Sequence, residues 1–113
     1  MQRASGTAPV LAAPALSPQP GSRVLASYYG PGLHGRRTAS GERFNRHAMT
    51  AAHRSHPFGT RLKVTNPENG RSVVVTVNDR GPFTKGLSLD LSEAAAFQIG
   101  RRSTGPVEVA VLD

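Results

Sequence analysis

The sequence contains no cysteine among its 113 residues. This absence excludes disulfide bonds, thiolate metal ligands and cysteine nucleophiles, and it leaves no residue that could accept a lipid anchor. Long apolar runs are also missing, because no stretch approaches the roughly 20 apolar residues that cross a bilayer as a helix. The segment Ala8–Leu16 is short and interrupted by prolines, so it does not predict a signal-peptide core. We therefore expect no membrane span, export signal or lipid anchor in this chain.

Aromatic and acidic residues are scarce. Aromatic residues make up 5% of the chain and tryptophan is absent. Seven acidic residues face 14 basic ones, which are all arginines except Lys63 and Lys85, and the net charge is +7. A chain this basic favours an anionic partner, either nucleic acid or an acidic surface such as the bacterial cell wall. We expect no nucleic-acid partner, because the sequence lacks aromatic residues interleaved with basic ones.

The length of the chain allows one domain. Residues 1–22 are rich in Ala, Pro, Ser and Gly and contain only isolated apolar residues. Such a segment buries too little apolar surface to offset the entropy lost on ordering, so we predict a flexible N-terminal linker. Residues 23–113 are then the folded domain, which we expect to be a monomer.

Short apolar segments separated by turn residues predict a mostly β domain. Its clearest strand candidates are Val24–Tyr29, Thr60–Thr65, Ser72–Val77 and Val107–Leu112. The second and third of these flank a turn that contains Asn69 and Gly70, which predicts a hairpin. Met49–His53 is compatible with either a strand or a helical turn. A closed barrel would leave none of these strands with an exposed edge.

One short helix is predicted over Ser92–Ile99. Three consecutive alanines in this segment are strong helix formers, and either Asp90 or Ser92 could supply the N-cap. Gly100 follows at the position where a helix C-terminus favours positive φ. We interpret Asp90 as a helix cap without a chemical role.

Three segments concentrate polar groups that a hydrophobic core would exclude. They are Gly41–Asn45, Thr50–His53 and Asn78–Phe83. Asp79 follows directly on the most apolar strand, and a carboxyl at the mouth of a barrel beside an apolar wall suits general acid catalysis near neutral pH. Glu42 and His53 are the other side chains in these segments that could hold or move a proton.

Each of these three residues also has a purely structural interpretation. Asp79 could accept backbone N–H bonds within a turn, and Glu42 could pair with an arginine of its own loop. His53 could fix a loop by hydrogen bonding to the backbone. We expect no metal site, because His47, His53 and His56 lack the helical spacing of common zinc motifs. No other cofactor is expected.

Taken together and in order, the motifs resemble those of the rare lipoprotein A family. The matching segments are Ala26–Gly30, Thr38–Glu42, Thr50–His53, Pro57–Thr60, Asn78–Phe83 and Asp90–Ala96. The resemblance covers about Val24 to Leu112, nearly the whole predicted domain. It implies a six-stranded double-psi β-barrel with one short inserted helix, related in fold to expansins.

The resemblance also implies an exported protein of the periplasm or cell envelope that acts on peptidoglycan glycan strands. Characterised relatives are lytic transglycosylases, which cleave MurNAc–GlcNAc bonds without adding water and leave 1,6-anhydro-MurNAc ends. By the matching motifs the general acid and base is Asp79, supported by Glu42 and His53. The substrate-binding residues implied are Tyr28, Thr50, Asn78, Arg80 and Phe83. The alternative is a non-catalytic, expansin-like module that binds or loosens the wall.

Overall fold

The computed structural model describes residues 22–112, so the predicted linker lies outside the described residues apart from Ser22. The elements in chain order are β1 (Ser22–Tyr28), a 3-10 helix (Pro31–Leu33), β2 (Thr50–Ala52), β3 (Arg61–Thr65), β4 (Ser72–Asp79), β5 (Leu89–Leu91), α1 (Glu93–Gln98) and β6 (Gly105–Leu112). Within this part of the chain, no helix has the length and apolar character needed to cross a membrane.

The six strands form a closed barrel in the order β1–β5–β2–β4–β3–β6. β1 pairs with β5, and β2 with β4, in parallel, whereas the other four pairs are antiparallel. Each strand therefore has two hydrogen-bonded neighbours, which protects the backbone groups that an open sheet would expose. The predicted mostly β fold, a six-stranded barrel with a single short helix, is confirmed.

Alternate side chains of the predicted hairpin fill the barrel. β3 and β4 pair antiparallel, with Leu62 opposite Val75 and Val64 opposite Val73. These four side chains are buried, because successive residues of a strand point to opposite faces and this set points inward. Other strands and the helix complete the core with Ala26, Ala51, Val77, Leu89, Leu91, Ala95, Ala96, Ile99 and Val107.

The helix begins one residue later than predicted, because Ser92 is its N-cap. The Ser92 hydroxyl accepts a hydrogen bond from the Ala95 N–H at 3.2 Å, and Gly100 takes a φ of 70° just after the helix ends. The interpretation of Asp90 as the cap is wrong. Asp90 lies in β5, which continues through Leu91, and its carboxyl accepts a hydrogen bond from the Ser27 hydroxyl.

The topology brings the end of β4 next to the end of β2. These two strands are parallel, so their carboxyl ends meet at one edge, where Asp79 is in register with Ala52. The segment between β1 and β2 then folds over this edge. Its Ser40 N–H donates to the Asn78 carbonyl at 3.3 Å. A loop, a strand end and the start of the next loop are therefore held together around Asp79.

Candidate active site

Asp79 is the centre of the candidate site, and three donors hold its half-buried carboxyl. Oδ1 accepts hydrogen bonds from the Ala39 N–H at 2.8 Å and from the Arg80 N–H at 2.9 Å. Oδ2 accepts one from the Tyr29 hydroxyl at 2.7 Å. The Arg80 N–H belongs to the adjacent residue, as the structural interpretation of Asp79 expected, whereas the Ala39 N–H comes from a residue 40 positions away. The third comes from a side chain 50 residues away, which a local turn does not explain.

Tyr29 is a residue of the site that the sequence analysis missed. Its side chain is only 8% exposed and stacks on Phe44, with the ring centroids 4.2 Å apart. With Ala52 these two rings form a small core separate from the main one. Burial, and then the hydrogen bond to Asp79, raises the pKa of Tyr29 well above its ordinary value, so the hydroxyl remains a donor. The sequence did contain a signal for Tyr29, because two adjacent tyrosines follow the apolar residues of the first strand. Neighbouring side chains of a strand point to opposite faces, so the two rings must have different surroundings.

Glu42 is linked to the Asp79 region by a hydrogen bond from Asn78, the residue that precedes Asp79 on β4. The Asn78 side-chain N–H donates to Glu42 Oε1 at 3.0 Å, and Asn78 itself is buried. The Glu42 carbonyl accepts from the Thr38 N–H at 2.7 Å, which ties the loop to itself. Among residues 22–112 the ion pairs join Arg23 to Glu108, Arg46 to Glu93 and Arg101 to Glu68. The suggested pairing of Glu42 with an arginine of its loop is therefore not observed.

His53 and Asp79 are joined by a hydrogen bond between their backbone groups. Its N–H donates to the Asp79 carbonyl at 3.1 Å. The imidazole Nδ1 accepts from the N–H groups of Ser55 at 3.1 Å and His56 at 3.0 Å. The histidine thus fixes its own loop, as the structural interpretation proposed, and no hydrogen bond in the described part of the chain joins its ring to the Asp79 carboxyl.

Arg80 holds the same loop from the other side. Its Nη1 donates to the carbonyls of His53 at 3.1 Å and His56 at 2.9 Å. The guanidinium carbon lies 4.1 Å from the centre of the Phe58 ring, within the range of a cation–π contact. Two hydrogen bonds of the guanidinium therefore position the segment after β2.

The other three residues implied by the resemblance have different surroundings. Phe83 is 79% exposed in the loop after Asp79. Tyr28 points toward the helix, where its hydroxyl donates to the Arg102 carbonyl at 3.2 Å and its ring meets Phe97 edge-on. Thr50 begins β2, and its carbonyl accepts from the Ser92 N–H at 2.9 Å. Phe83 therefore lies in the loop that follows Asp79, whereas Tyr28 and Thr50 pack on the helix side.

A cleft of about 140 Å³ opens in front of the carboxyl. It is lined by Tyr29, Leu33, Arg36, Arg37, Thr38, Phe44 and Asp79. The cleft therefore combines the acidic Asp79 with two arginines and with the apolar residues Leu33 and Phe44. Residues 22–112 contain no group of three or more His, Cys, Asp or Glu side chains placed to hold a metal ion.

Comparison with protein families assigns this architecture. Residues 22–111 match the family model described as lytic transglycolase, which covers nearly all of the described part. The chain belongs to the lytic transglycolase family. Its barrel is therefore that of a lytic transglycolase domain.

Several curated proteins similar to this lytic transglycolase domain are named RlpA. The probable endolytic peptidoglycan transglycosylase RlpA of Synechocystis sp. is 66% identical over 87 residues, which are 77% of this chain and 27% of that protein. The RlpA of Campylobacter jejuni is 51% identical over 90 residues, 78% of this chain and 33% of that protein. The chain thus spans about a quarter to a third of the length of these relatives.

A solved structure similar to the domain is that of an expansin from Clavibacter michiganensis. The TM-score is 0.63 at 25% sequence identity, over 84% of this chain and 51% of the expansin. Together with the RlpA relatives, this likeness confirms the double-psi barrel and the rare lipoprotein A resemblance.

The lytic transglycolase domain has a second cleft, of about 190 Å³, at the other side of the loop after β2. His53 and His56 line it, with their ring centroids 4.2 Å apart, beside apolar residues of β1, β5 and β6. Burial, followed by the neighbouring His56, Arg54 and Arg80, lowers the pKa of His53. His53 therefore binds a proton less readily in the folded protein than in the unfolded chain.

This lowered pKa predicts a pH dependence of stability. The contribution of His53 to stability is largest above pH 6.5, the ordinary value of its pKa, and is lost as the pH falls through 6.5 toward the lower folded value, because the unfolded chain then binds the additional proton. We expect His53→Asn, whose side-chain oxygen can replace Nδ1 as an acceptor, to lose less stability than the wild type between pH 7.5 and 5.5. Urea unfolding at both pH values measures this, and equal losses in the two proteins would contradict it.

Proposed function

We propose that this domain is an endolytic lytic transglycosylase that cleaves the MurNAc–GlcNAc bonds of peptidoglycan glycan strands and leaves 1,6-anhydro-MurNAc ends. The observation that carries the proposal is the Asp79 carboxyl, which three hydrogen bonds orient in a cleft that also contains Arg36 and Arg37. The proteins named RlpA, to which the chain is up to 66% identical, are described as transglycosylases of this kind. Their names supply the substrate class, and the cleft supplies a residue for the reaction.

The reaction needs one group that first gives a proton and then takes one. Asp79 protonates the glycosidic oxygen while the bond from the MurNAc anomeric carbon breaks and its electron pair stays on the leaving oxygen. The C6 hydroxyl of the same MurNAc then attacks the anomeric carbon, and its proton returns to Asp79. The substrate supplies the nucleophile, so the second carboxylate of ordinary glycosidases is not required. No water is consumed.

The other residues of the site support this step in different ways. Glu42 acts through Asn78, and His53 acts through its backbone bond to Asp79, so both shape the cleft around the acid. We assign the MurNAc lactyl carboxylate to Arg36 and Arg37, because both line the cleft with Asp79, whereas Arg80 holds the carbonyls of His53 and His56 outside that lining. The exposed ring of Phe83 can lie against the apolar face of a sugar.

The same proposal includes location and assembly. Peptidoglycan lies outside the cytoplasm, so the protein acts in the periplasm or cell envelope, as a monomer on glycan strands. A net charge of +7 suits a substrate that carries carboxylates.

A second candidate function is a non-catalytic module that binds or loosens the wall. The similarity to an expansin, at a TM-score of 0.63 and 25% identity, favours it over unrelated alternatives. Such a module would use the same cleft without breaking a bond.

Digestion of purified peptidoglycan separates the two functions. Intact and peptide-stripped sacculi are incubated with the protein, and the released glycans are analysed by mass spectrometry. An endolytic transglycosylase releases chains that end in 1,6-anhydro-MurNAc. Tight binding to sacculi without any release of glycan would refute the enzyme and support the expansin-like module.

A further inference from the structure

The two oxygens of the Asp79 carboxyl have unequal partners. Oδ1 accepts two backbone N–H groups, from Ala39 at 2.8 Å and Arg80 at 2.9 Å. Oδ2 accepts only the Tyr29 hydroxyl, at 2.7 Å. A carboxylate oxygen offers about two lone-pair sites, so Oδ1 is filled and Oδ2 keeps one site open.

This inequality determines where a proton can reside. A proton on Oδ1 would displace one of two backbone donors that the strand and loop hold in place. A proton on Oδ2 occupies the remaining lone pair and leaves all three hydrogen bonds intact. The catalytic proton is therefore carried on the oxygen that Tyr29 contacts.

We propose that Tyr29 is a positioning residue, whose hydroxyl aims Oδ2 of Asp79 into the cleft and makes Oδ2 the oxygen that gives and takes the proton. The inference rests on the proposed function, since it takes Asp79 as the catalytic carboxyl. Tyr29 acts through Asp79 and transfers no proton itself.

The packing of Tyr29 suits this role. Its ring lies nearly parallel to that of Phe44, at 16°, and both side chains are buried, so the hydroxyl has little freedom to move away. The Tyr29 N–H donates to the Leu91 carbonyl at 3.0 Å, which ties the backbone of the residue to β5. A rigid donor of this kind holds a carboxyl in one orientation, whereas a solvent-exposed side chain would not.

The test is Tyr29→Phe in the full 113-residue chain, which removes the hydroxyl and keeps the stacked ring. We expect kcat for release of anhydro-ended glycan to fall about 10- to 100-fold, as for loss of one hydrogen bond to a charged group, with KM changed less than about threefold. The alkaline limb of the pH–rate profile moves to higher pH, because the charged carboxyl loses a donor. An unchanged kcat and an unchanged profile would overturn the proposal.

Two further variants separate positioning from packing. Phe44→Leu weakens the ring stack but keeps the hydroxyl, so it lowers thermal stability and moves the alkaline limb less than Tyr29→Phe does. Replacement of Tyr29 by 3,5-difluorotyrosine keeps the fold and strengthens the donor, so the limb moves to lower pH. Equal movement of the limb in Phe44→Leu and Tyr29→Phe would assign the effect to packing and overturn the proposal.

A measurement without substrate distinguishes failure of this inference from failure of the proposed function. The ¹³C resonance of the side-chain carboxyl carbon (Cγ) of Asp79 is followed by NMR as a function of pH, in the wild type and in Tyr29→Phe. We expect a higher midpoint in the variant, whether or not the wild type releases glycan. Equal midpoints would show that Tyr29 does not control the carboxyl, and an inactive wild type with unequal midpoints would refute only the transglycosylase.

Discussion

We expect Asp79→Asn to lower the rate of glycan release by about 100- to 10,000-fold, the range that general acid–base catalysis supplies. Asparagine has nearly the same shape as aspartate but can neither give nor take the proton. Its side-chain oxygen can still accept the N–H groups of Ala39 and Arg80 that now bind Oδ1. The variant therefore keeps the loop over the strand end and loses only the chemistry. Initial rates on peptidoglycan, with mass analysis for 1,6-anhydro-MurNAc ends, measure the effect.

A matched carboxyl-to-amide change elsewhere on the barrel serves as the control. Glu108→Gln alters a carboxyl that pairs with Arg23 at 3.0 Å on the exposed face of β6, away from the Asp79 cleft. We expect it to retain the wild-type rate, because an exposed ion pair contributes little. Activity above about a tenth of wild type in Asp79→Asn, with the fold intact by circular dichroism, would show that the acid is another residue.

Gly105→Ala destabilises the domain by about 1–3 kcal/mol, the usual cost of overpacking a filled interior. A methyl group at this position would lie 1.6 Å from Nη1 of Arg101. Arg101 cannot simply move aside, since it is only 7% exposed and donates to Asn66 at 3.2 Å and to Glu68 at 2.7 Å. Asn66 in turn donates to the Ile99 carbonyl at the end of α1, so the disturbance reaches the helix. Urea unfolding measures the change in the free energy of unfolding.

Two variants test that the cost comes from this contact. In an Arg101→Met background, Gly105→Ala should cost much less, because the two changes share one cause and are not additive. Gly32→Ala is the matched glycine control, since a Cβ there meets nothing within 4 Å and the residue has no positive φ. A loss below about 0.5 kcal/mol for Gly105→Ala in the wild-type background would contradict the prediction.

The elements that local patterns describe were predictable from the sequence. The alternation in residues 60–65 predicted β3, because one face of a strand is buried, and the β-branched run in residues 72–77 predicted most of β4. The capping serine and the alanines predicted α1 to within one residue at each end. β5 had no such signal, since a strand of three residues is too short to show a period.

The candidate site was predictable only in part. Asp79 stood out because it ends the most apolar strand, and Asn78 stood beside it. Tyr29 did not, because its contact with Asp79 joins residues 50 positions apart and depends on barrel closure. The orientation of the His53 ring could not be predicted either, because it is determined by two backbone N–H groups of its own loop.

The sequence by itself determined the class of the domain: a small, basic, mostly β fold without cysteine chemistry, with one short helix and a carboxyl at a strand end. These properties depend on composition, on the periodicity of apolar residues and on residues near one another in the chain. Only the tertiary structure decided which donors hold that carboxyl, which oxygen stays open and which arginines line the cleft. Those contacts join segments far apart in the chain, and they exist only once the strands have closed into a barrel.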